Sequence, residues 1–118
     1  MSKVYIVAAK RTAVGSFLGS LSNVSPSDFG AQVVKNILED THIDPAQLDE
    51  VISGNILPAG QGQGIGRQVA IKAGVPDSVP GYAINMVCGS GMKAIMDAYL
   101  KIVSGWDHLV IAGGTESM

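Results

Sequence analysis

The sequence predicts an α/β fold, a mostly parallel sheet with helices on its faces. Three observations predict it. Short runs rich in Val, Ile and Ala alternate along the chain with longer segments whose apolar residues recur at helical spacing. Strands that alternate with helices favour parallel pairing through crossover connections. The chain has 118 residues, 47% of them hydrophobic but only 5% aromatic, which suits one domain with an aliphatic core.

Val4-Tyr5-Ile6-Val7-Ala8-Ala9 reads as a first, buried strand, and residues 13 to 24, rich in Gly and Ser, as a loop. Ser25-Pro26-Ser27-Asp28 is a helix start: Ser25 can cap, Pro26 suits the first helical position, and Asp28 favours the positive helix end. Phe29, Val33, Val34, Ile37 and Leu38 continue it as one stripe, with an end near Thr41. Asp44 to Leu48 reads as a single helical turn and Val51 to Ile56 as a second strand. Gly60 to Gly66 is a glycine-rich loop, Ile65 to Ala73 a short helix stopped by Gly74, and Tyr82 to Val87 a third strand. Gly89 to Ser104 is a helix whose stripe of Met92, Ile95, Met96, Tyr99, Leu100 and Val103 should face the core. Leu109 to Ala112 is a fourth strand.

Composition excludes several classes. The net charge is −2, without a basic patch, so nucleic-acid binding has no support. No apolar run approaches the ~20 residues that span a bilayer, and the first ten residues carry no signal-peptide pattern. A single cysteine cannot form an internal disulfide and fits a reducing compartment. These features predict a soluble, cytoplasmic domain.

That cysteine, Cys88, falls between the third strand and the following helix. Ligands of open α/β sheets bind beyond the carboxyl ends of strands. The unpaired amides and dipole of a helix start stabilise a thiolate, whose unperturbed pKa is ~8.5. Gly89, Ser90 and Gly91 are small enough to let a bulky substrate reach the sulfur, and Asn85 can support the turn. Lipases use the same strand–nucleophile–helix logic with serine. A lone cysteine in an apolar chain is more often a small buried side chain. The Cys-Gly-Ser-Gly run favours the nucleophile, since a core cysteine needs no such neighbours.

A second reading competes. Gly89, Gly91 and Ala94 match G-x-G-x-x-A, the dinucleotide-binding fingerprint, with Glu116 at the distance of a ribose-binding acid. The fingerprint belongs in a first strand–helix turn, and here it is in the third. The Gly60–Gly66 loop lacks the lysine of a phosphate-binding loop. His42 and His108 are read as surface histidines, Lys93 and Lys101 as a solvated helix face, and Met86, Met92 and Met96 as core packing, with Met86 or Met92 a candidate acyl-pocket lining.

Four segments together resemble the thiolase family, in family order and across essentially the whole chain. Asn85-Met86-Val87-Cys88-Gly89-Ser90-Gly91-Met92-Lys93-Ala94 resembles its nucleophile motif, and Arg11-Thr12-Ala13-Val14-Gly15-Ser16-Phe17 its early Arg-Thr-Pro-x-Gly-x-Phe segment. Gly54-Asn55 through Gln63, then Arg67-Gln68, resembles a dimer-interface loop and helix; Gly113-Gly114-Thr115-Glu116-Ser117-Met118 matches Gly-Gly-x-Glu-Ser-Met. Ala13 replaces the usual proline, Leu18 a common glycine, and Gly66 an alanine that often precedes the arginine.

The resemblance implies the first, N-terminal half of a thiolase-like layered fold over residues 1–118, ending near the close of the fourth strand. It implies acetyl transfer between coenzyme A thioesters through acyl-Cys88, with acetyl-CoA and acetoacetyl-CoA as substrates, no metal or redox cofactor, and a homodimer or homotetramer. Cys88 is the one catalytic residue carried over. The activating histidine, a second cysteine, a water-holding asparagine and parts of the oxyanion holes belong to the family's remaining portion. A half-fold of this kind should be inactive alone. Its open sheet edge and unpartnered apolar face should promote association.

Overall fold

The computed structural model describes residues 3–118; Met1 and Ser2, the first two residues of the expected 1–118 domain, lie outside the described residues. Helix α1 spans Pro26–Thr41. Ser25 starts it as the sequence requires: its Oγ accepts from the Asp28 N–H at 3.1 Å and bonds Asp28 Oδ2 at 2.7 Å. His42 ends it in the left-handed region with φ 56°. A 3-10 turn at Pro45–Gln47, capped by Asp44, leads into strand β1, Glu50–Gly54. Helix α2 is Ile65–Lys72, β2 Gly81–Ile84, α3 Ser90–Val103 and β3 Val110–Gly114.

Among the described residues the sheet has three parallel strands in the order β2-β1-β3. β1 is central and buried along its whole length. Alternation splits its side chains between two layers. Val51 packs with Ala31, Val34, Leu38, Val69 and Ala70 of α1 and α2, whereas Ile52 packs with Ala94 and Ala98 of α3. The chain is therefore a helix–sheet–helix sandwich, and the predicted α/β class holds.

The expected first strand does not form. Lys3 to Ser16 run without regular structure, and Tyr5, Ile6 and Val7 are exposed, Ile6 by 83%. A strand needs a neighbour for its backbone groups, and this segment stands off the open edge of β3. Between them lies an apolar groove of about 1060 Å³, lined in part by Val7, Phe29, Tyr99 and Ile111.

The α3 stripe is also corrected. Met92 is 71% exposed, and Ile95, Met96, Tyr99 and Leu100 are exposed as well, as is Met86. The face against the sheet consists instead of Ser90, Ala94 and Ala98. Small side chains let the helix approach closely, which turns the larger apolar residues outward. Lys101 does not sit on a solvated face. It bonds the buried Glu50 carboxylate, lies 5.3 Å from the Tyr82 ring centroid, and is 4.0 Å from Asp107. Burial works against its charge, but the bonds to Glu50 and Tyr82 outweigh that and raise its pKa. Asp107 is buried with one carboxylate oxygen unpartnered; burial first, and then the Glu50 charge, raise its pKa. Lys93 pairs with Asp97 one turn on.

Of the departures from the family pattern, one acquires a physical reason and another a physical cost. A Cβ on Gly66 would lie 2.0 Å from the Tyr82 carbonyl oxygen, so α2 meets β2 too closely for alanine. Leu18 has φ 55°, a left-handed conformation in which glycine would be unstrained. Among the described residues, no helix is long and apolar enough to cross a membrane.

Candidate active site

The predicted third strand stops early, at Ile84, and a turn carries the chain from Asn85 through Gly89 into α3. Cys88 lies on this turn beyond the carboxyl end of β2, with its thiol free and exposed. Gly89 intervenes as the helix cap, so Cys88 is one residue further from the helix than the sequence suggested. The buried-core reading of this cysteine is thereby excluded.

Three side-chain bonds shape the turn. Asn85 Oδ1 accepts from the Val87 N–H at 2.9 Å, an Asx turn two residues ahead of itself. Ser90 Oγ accepts from the Met86 N–H at 2.8 Å and donates to the Val87 carbonyl at 2.6 Å. Main-chain bonds from Gly89 N to Met86 O and from Ser90 N to Val87 O, both 3.1 Å, close the loop. Together they hold Val87 at φ 50°. For a β-branched residue this region is an outlier, costing on the order of 1–3 kcal/mol. Strain immediately before the thiol requires a surround that over-determines the turn, and Asn85 and Ser90 supply it.

The small residues after Cys88 have a different use from the one expected. Ser90 is 3% exposed and acts as a latch within the turn. Gly91 packs on the sheet, and an added Cβ there would meet Gly114 at 3.6 Å. From the other side, a Cβ on Gly54 would lie 2.4 Å from the Ser90 carbonyl carbon and 2.5 Å from the Gly91 nitrogen. These glycines bring the first turn of α3 into main-chain contact with β1 and β3. At Gly89 an added Cβ would lie 2.8 Å from the flexible end of Met86 and 3.4 Å from the Met86 carbonyl oxygen.

Glu116 is drawn into the same end of the sheet. Its Oε2 accepts from the Ile56 N–H at 2.7 Å, and its Oε1 accepts from the Leu57 N–H and the Asn55 side-chain amide, each at 3.1 Å. All three donors come from the loop after β1, so the carboxylate is occupied and does not project as a ribose ligand. With Gly91 packed on Gly114, nothing here supports the dinucleotide-binding alternative built on Gly89, Gly91 and Ala94. The loop that Glu116 holds has no signature in the local sequence. Ser90 had been valued for its size, although its hydroxyl is the active feature.

The histidines stay apart from Cys88. His42 closes α1 and is exposed; His108 precedes β3 at the amino end of the sheet, where its backbone N–H donates to Asp49 at 2.7 Å. In the Gly60–Gly66 loop, Gly60, Gly62 and Gly64 have positive φ, and the Gln68 side chain ties the loop by donating to the Gln61 and Gln63 carbonyls.

Comparison with known proteins bears on the family and the fold. The profile of the family described as "Thiolase, N-terminal domain" matches residues 4–118. An acetyl-CoA acetyltransferase of Synechocystis sp. is 52% identical over 118 residues, all of this chain and 30% of that protein. A probable acetyl-CoA acyltransferase of Staphylococcus epidermidis is 49% identical over the same span and again 30% covered. The chain thus spans less than a third of the length of these relatives. Among solved structures, Acat5 thiolase from Ascaris suum in complex with coenzyme A superposes with a TM-score of 0.85 at 38% identity, over 88% of this chain and 27% of that one. The Bacillus anthracis acetyl-CoA acetyltransferase gives 0.80 at 38% identity, over 85% and 25%. From its nucleophile turn to its Gly-Gly-Thr-Glu-Ser-Met stretch, this chain belongs to the thiolase family, matching that family's N-terminal domain over residues 4–118.

Proposed function

We propose that this chain is the nucleophile-bearing portion of an acetyl-CoA C-acetyltransferase, and that Cys88 is its acyl acceptor. The observation that carries the reading is the exposed Cys88 thiol on a braced turn beyond the sheet, in a chain of thiolase ancestry. The Cys88 thiolate attacks the thioester carbonyl carbon of acetyl-CoA, and backbone donors hold the oxyanion. The carbon–sulfur bond to coenzyme A breaks, and coenzyme A leaves as a thiolate that takes up a proton. Acetyl-Cys88 remains.

A base deprotonates the methyl carbon of a second acetyl-CoA, and the carbanion attacks the acetyl group and expels the Cys88 thiolate. The product is acetoacetyl-CoA; the reverse direction is thiolysis. A thioester serves both steps, because weak resonance leaves its carbonyl electrophilic and its α-hydrogen acidic. Coenzyme A enters as substrate, and the scheme uses no resident cofactor. The base and the remaining oxyanion donors come from the portion that the longer relatives possess beyond this span. We place the assembled enzyme in cytoplasmic fatty acid metabolism, where a reduced thiol persists. We assign it a homodimer or homotetramer, with the Gln68-braced loop as a subunit contact.

Intact mass after incubation with acetyl-CoA tests the assignment. A gain of one acetyl group that is lost in Cys88→Ala supports it. A full-length protein that keeps parental thiolysis with Cys88→Ala eliminates it.

A further inference from the structure

Nothing in the acyl-transfer scheme uses Glu116, yet its carboxylate is fully engaged at the end of the sheet where Cys88 stands. We infer that Glu116 is a positioning residue for Cys88, acting through the loop after β1 and through Asn85. The inference rests on the nucleophile assignment above for its catalytic meaning, but not for its geometry.

The path is continuous in hydrogen bonds. Glu116 accepts from the Ile56 and Leu57 amides at 2.7 and 3.1 Å. The carbonyl of the same Ile56 accepts from Asn85 Nδ2 at 3.3 Å. The other end of that side chain, Asn85 Oδ1, accepts from the Val87 N–H at 2.9 Å. Residue 56 is thus gripped on its amide by Glu116 and on its carbonyl by Asn85, and Asn85 in turn fixes the strained residue that precedes the thiol. Because the acceptor on the Val87 N–H must be an oxygen, the orientation of the Asn85 amide is set, and its NH2 is obliged to face Ile56.

Glu116 is itself anchored at short range. The Thr115 N–H donates to the Gly54 carbonyl at 3.0 Å, and the Asn55 side-chain amide donates to the Thr115 carbonyl at 3.0 Å. Among the described residues, no cation pairs with the Glu116 carboxylate, so backbone and amide donors hold it. A charged acceptor makes stronger bonds to such donors than a neutral one does. Both oxygens are needed, because the two backbone amides approach different ones. Glu116→Gln would turn an NH2 toward a backbone N–H and release one of them. Glu116→Asp keeps both oxygens on an arm one methylene shorter.

The test is amide hydrogen exchange with residue resolution, together with the rate of Cys88 alkylation by iodoacetamide between about pH 6 and pH 9. Glu116→Gln should speed exchange at Met86 and Val87 by about tenfold while α1 keeps its protection, and should displace the alkylation pH profile. Glu116→Asp should fall between it and the parent. In an Asn85→Ala background, Glu116→Gln should change alkylation by less than about twofold, because the path is already cut. Faster exchange at Ile56 and Leu57 with an unchanged Val87 and an unchanged Cys88 profile overturns the inference. So does simple multiplication of the two effects, or loss of protection throughout the chain in both Glu116 variants. Parental thiolysis by a full-length Cys88→Ala protein would instead overturn the acyl-transfer reading and leave the exchange result standing.

Discussion

Gly54→Ala is the substitution that most directly asks whether main-chain contact sets the place of the nucleophile turn. The added methyl would lie 2.4 Å from the Ser90 carbonyl carbon, 2.5 Å from the Gly91 nitrogen and 2.7 Å from the Ser90 oxygen. Comfortable carbon contacts are about 3.5–4.0 Å, so the first turn of α3 must retreat by roughly 1 Å. The atoms in the way are backbone, which no rotamer change can remove. Overpacking of this kind costs about 1–3 kcal/mol, and at about 4 °C per kcal/mol for a domain of this size the midpoint should fall by roughly 4–12 °C. Gly91→Ala addresses the same contact from the helix side, where the nearest atom is an ordinary 3.6 Å away. It should leave the midpoint unchanged or raise it, since alanine is favoured over glycine in a helix by up to about 1 kcal/mol. Thermal unfolding followed by circular dichroism measures both, and Cys88 alkylation reports whether the turn has moved. A Gly54→Ala variant with parental stability and parental alkylation, or a Gly91→Ala variant that costs more than Gly54→Ala, refutes the reasoning.

Leu18→Gly should stabilise the chain slightly. The left-handed conformation costs a non-glycine residue about 1–2 kcal/mol, and the entropy penalty of glycine, about 0.5–1 kcal/mol, offsets part of that gain. Leu18 is exposed and loses little packing, so a lower denaturation midpoint in urea would contradict the assignment. Asp107→Asn should show a pH signature. A carboxyl whose folded pKa is raised favours folding in its protonated form, so its contribution is best below the unfolded value of ~3.9 and is lost as pH rises through the folded pKa. The gain in thermal midpoint on Asp107→Asn should therefore be larger at neutral pH than in acid, and the opposite trend would show that the Lys101 pairing dominates at this site.

Local signals were read correctly wherever the chain decides its own structure. Ser25, Pro26 and Asp28 marked the start of α1 to the residue, and Asp44 marked the 3-10 turn. Cys88 was legible as more than a core side chain from its Cys-Gly-Ser-Gly run, although those small residues brace the turn and seat the helix rather than open the sulfur. What the sequence concealed depended on distant partners. Val4 to Ala9 has the composition of a strand, but composition cannot supply a neighbouring edge. α3 carries apolar residues on more than one face, and periodicity favoured the bulky face over Ala94 and Ala98. Only the contact with Gly54 reveals which face packs. The Glu116 brace joins residues some sixty positions apart, as the Asn55 and Ile56 bonds do, and no local pattern encodes such a pairing.

The tight seat of α3 on the sheet has a consequence for the sulfur itself. With peptide planes at Gly54, Ser90, Gly91 and Gly114 in contact and the turn braced by Asn85 and Ser90, the Cα of Cys88 is held from both the helix side and the strand side. A cysteine then has one torsion left, χ1, with three staggered settings. The thiol therefore chooses among a few discrete stations instead of sweeping a volume, and drift in side chains outside that brace can change what the sulfur meets without changing where it stands.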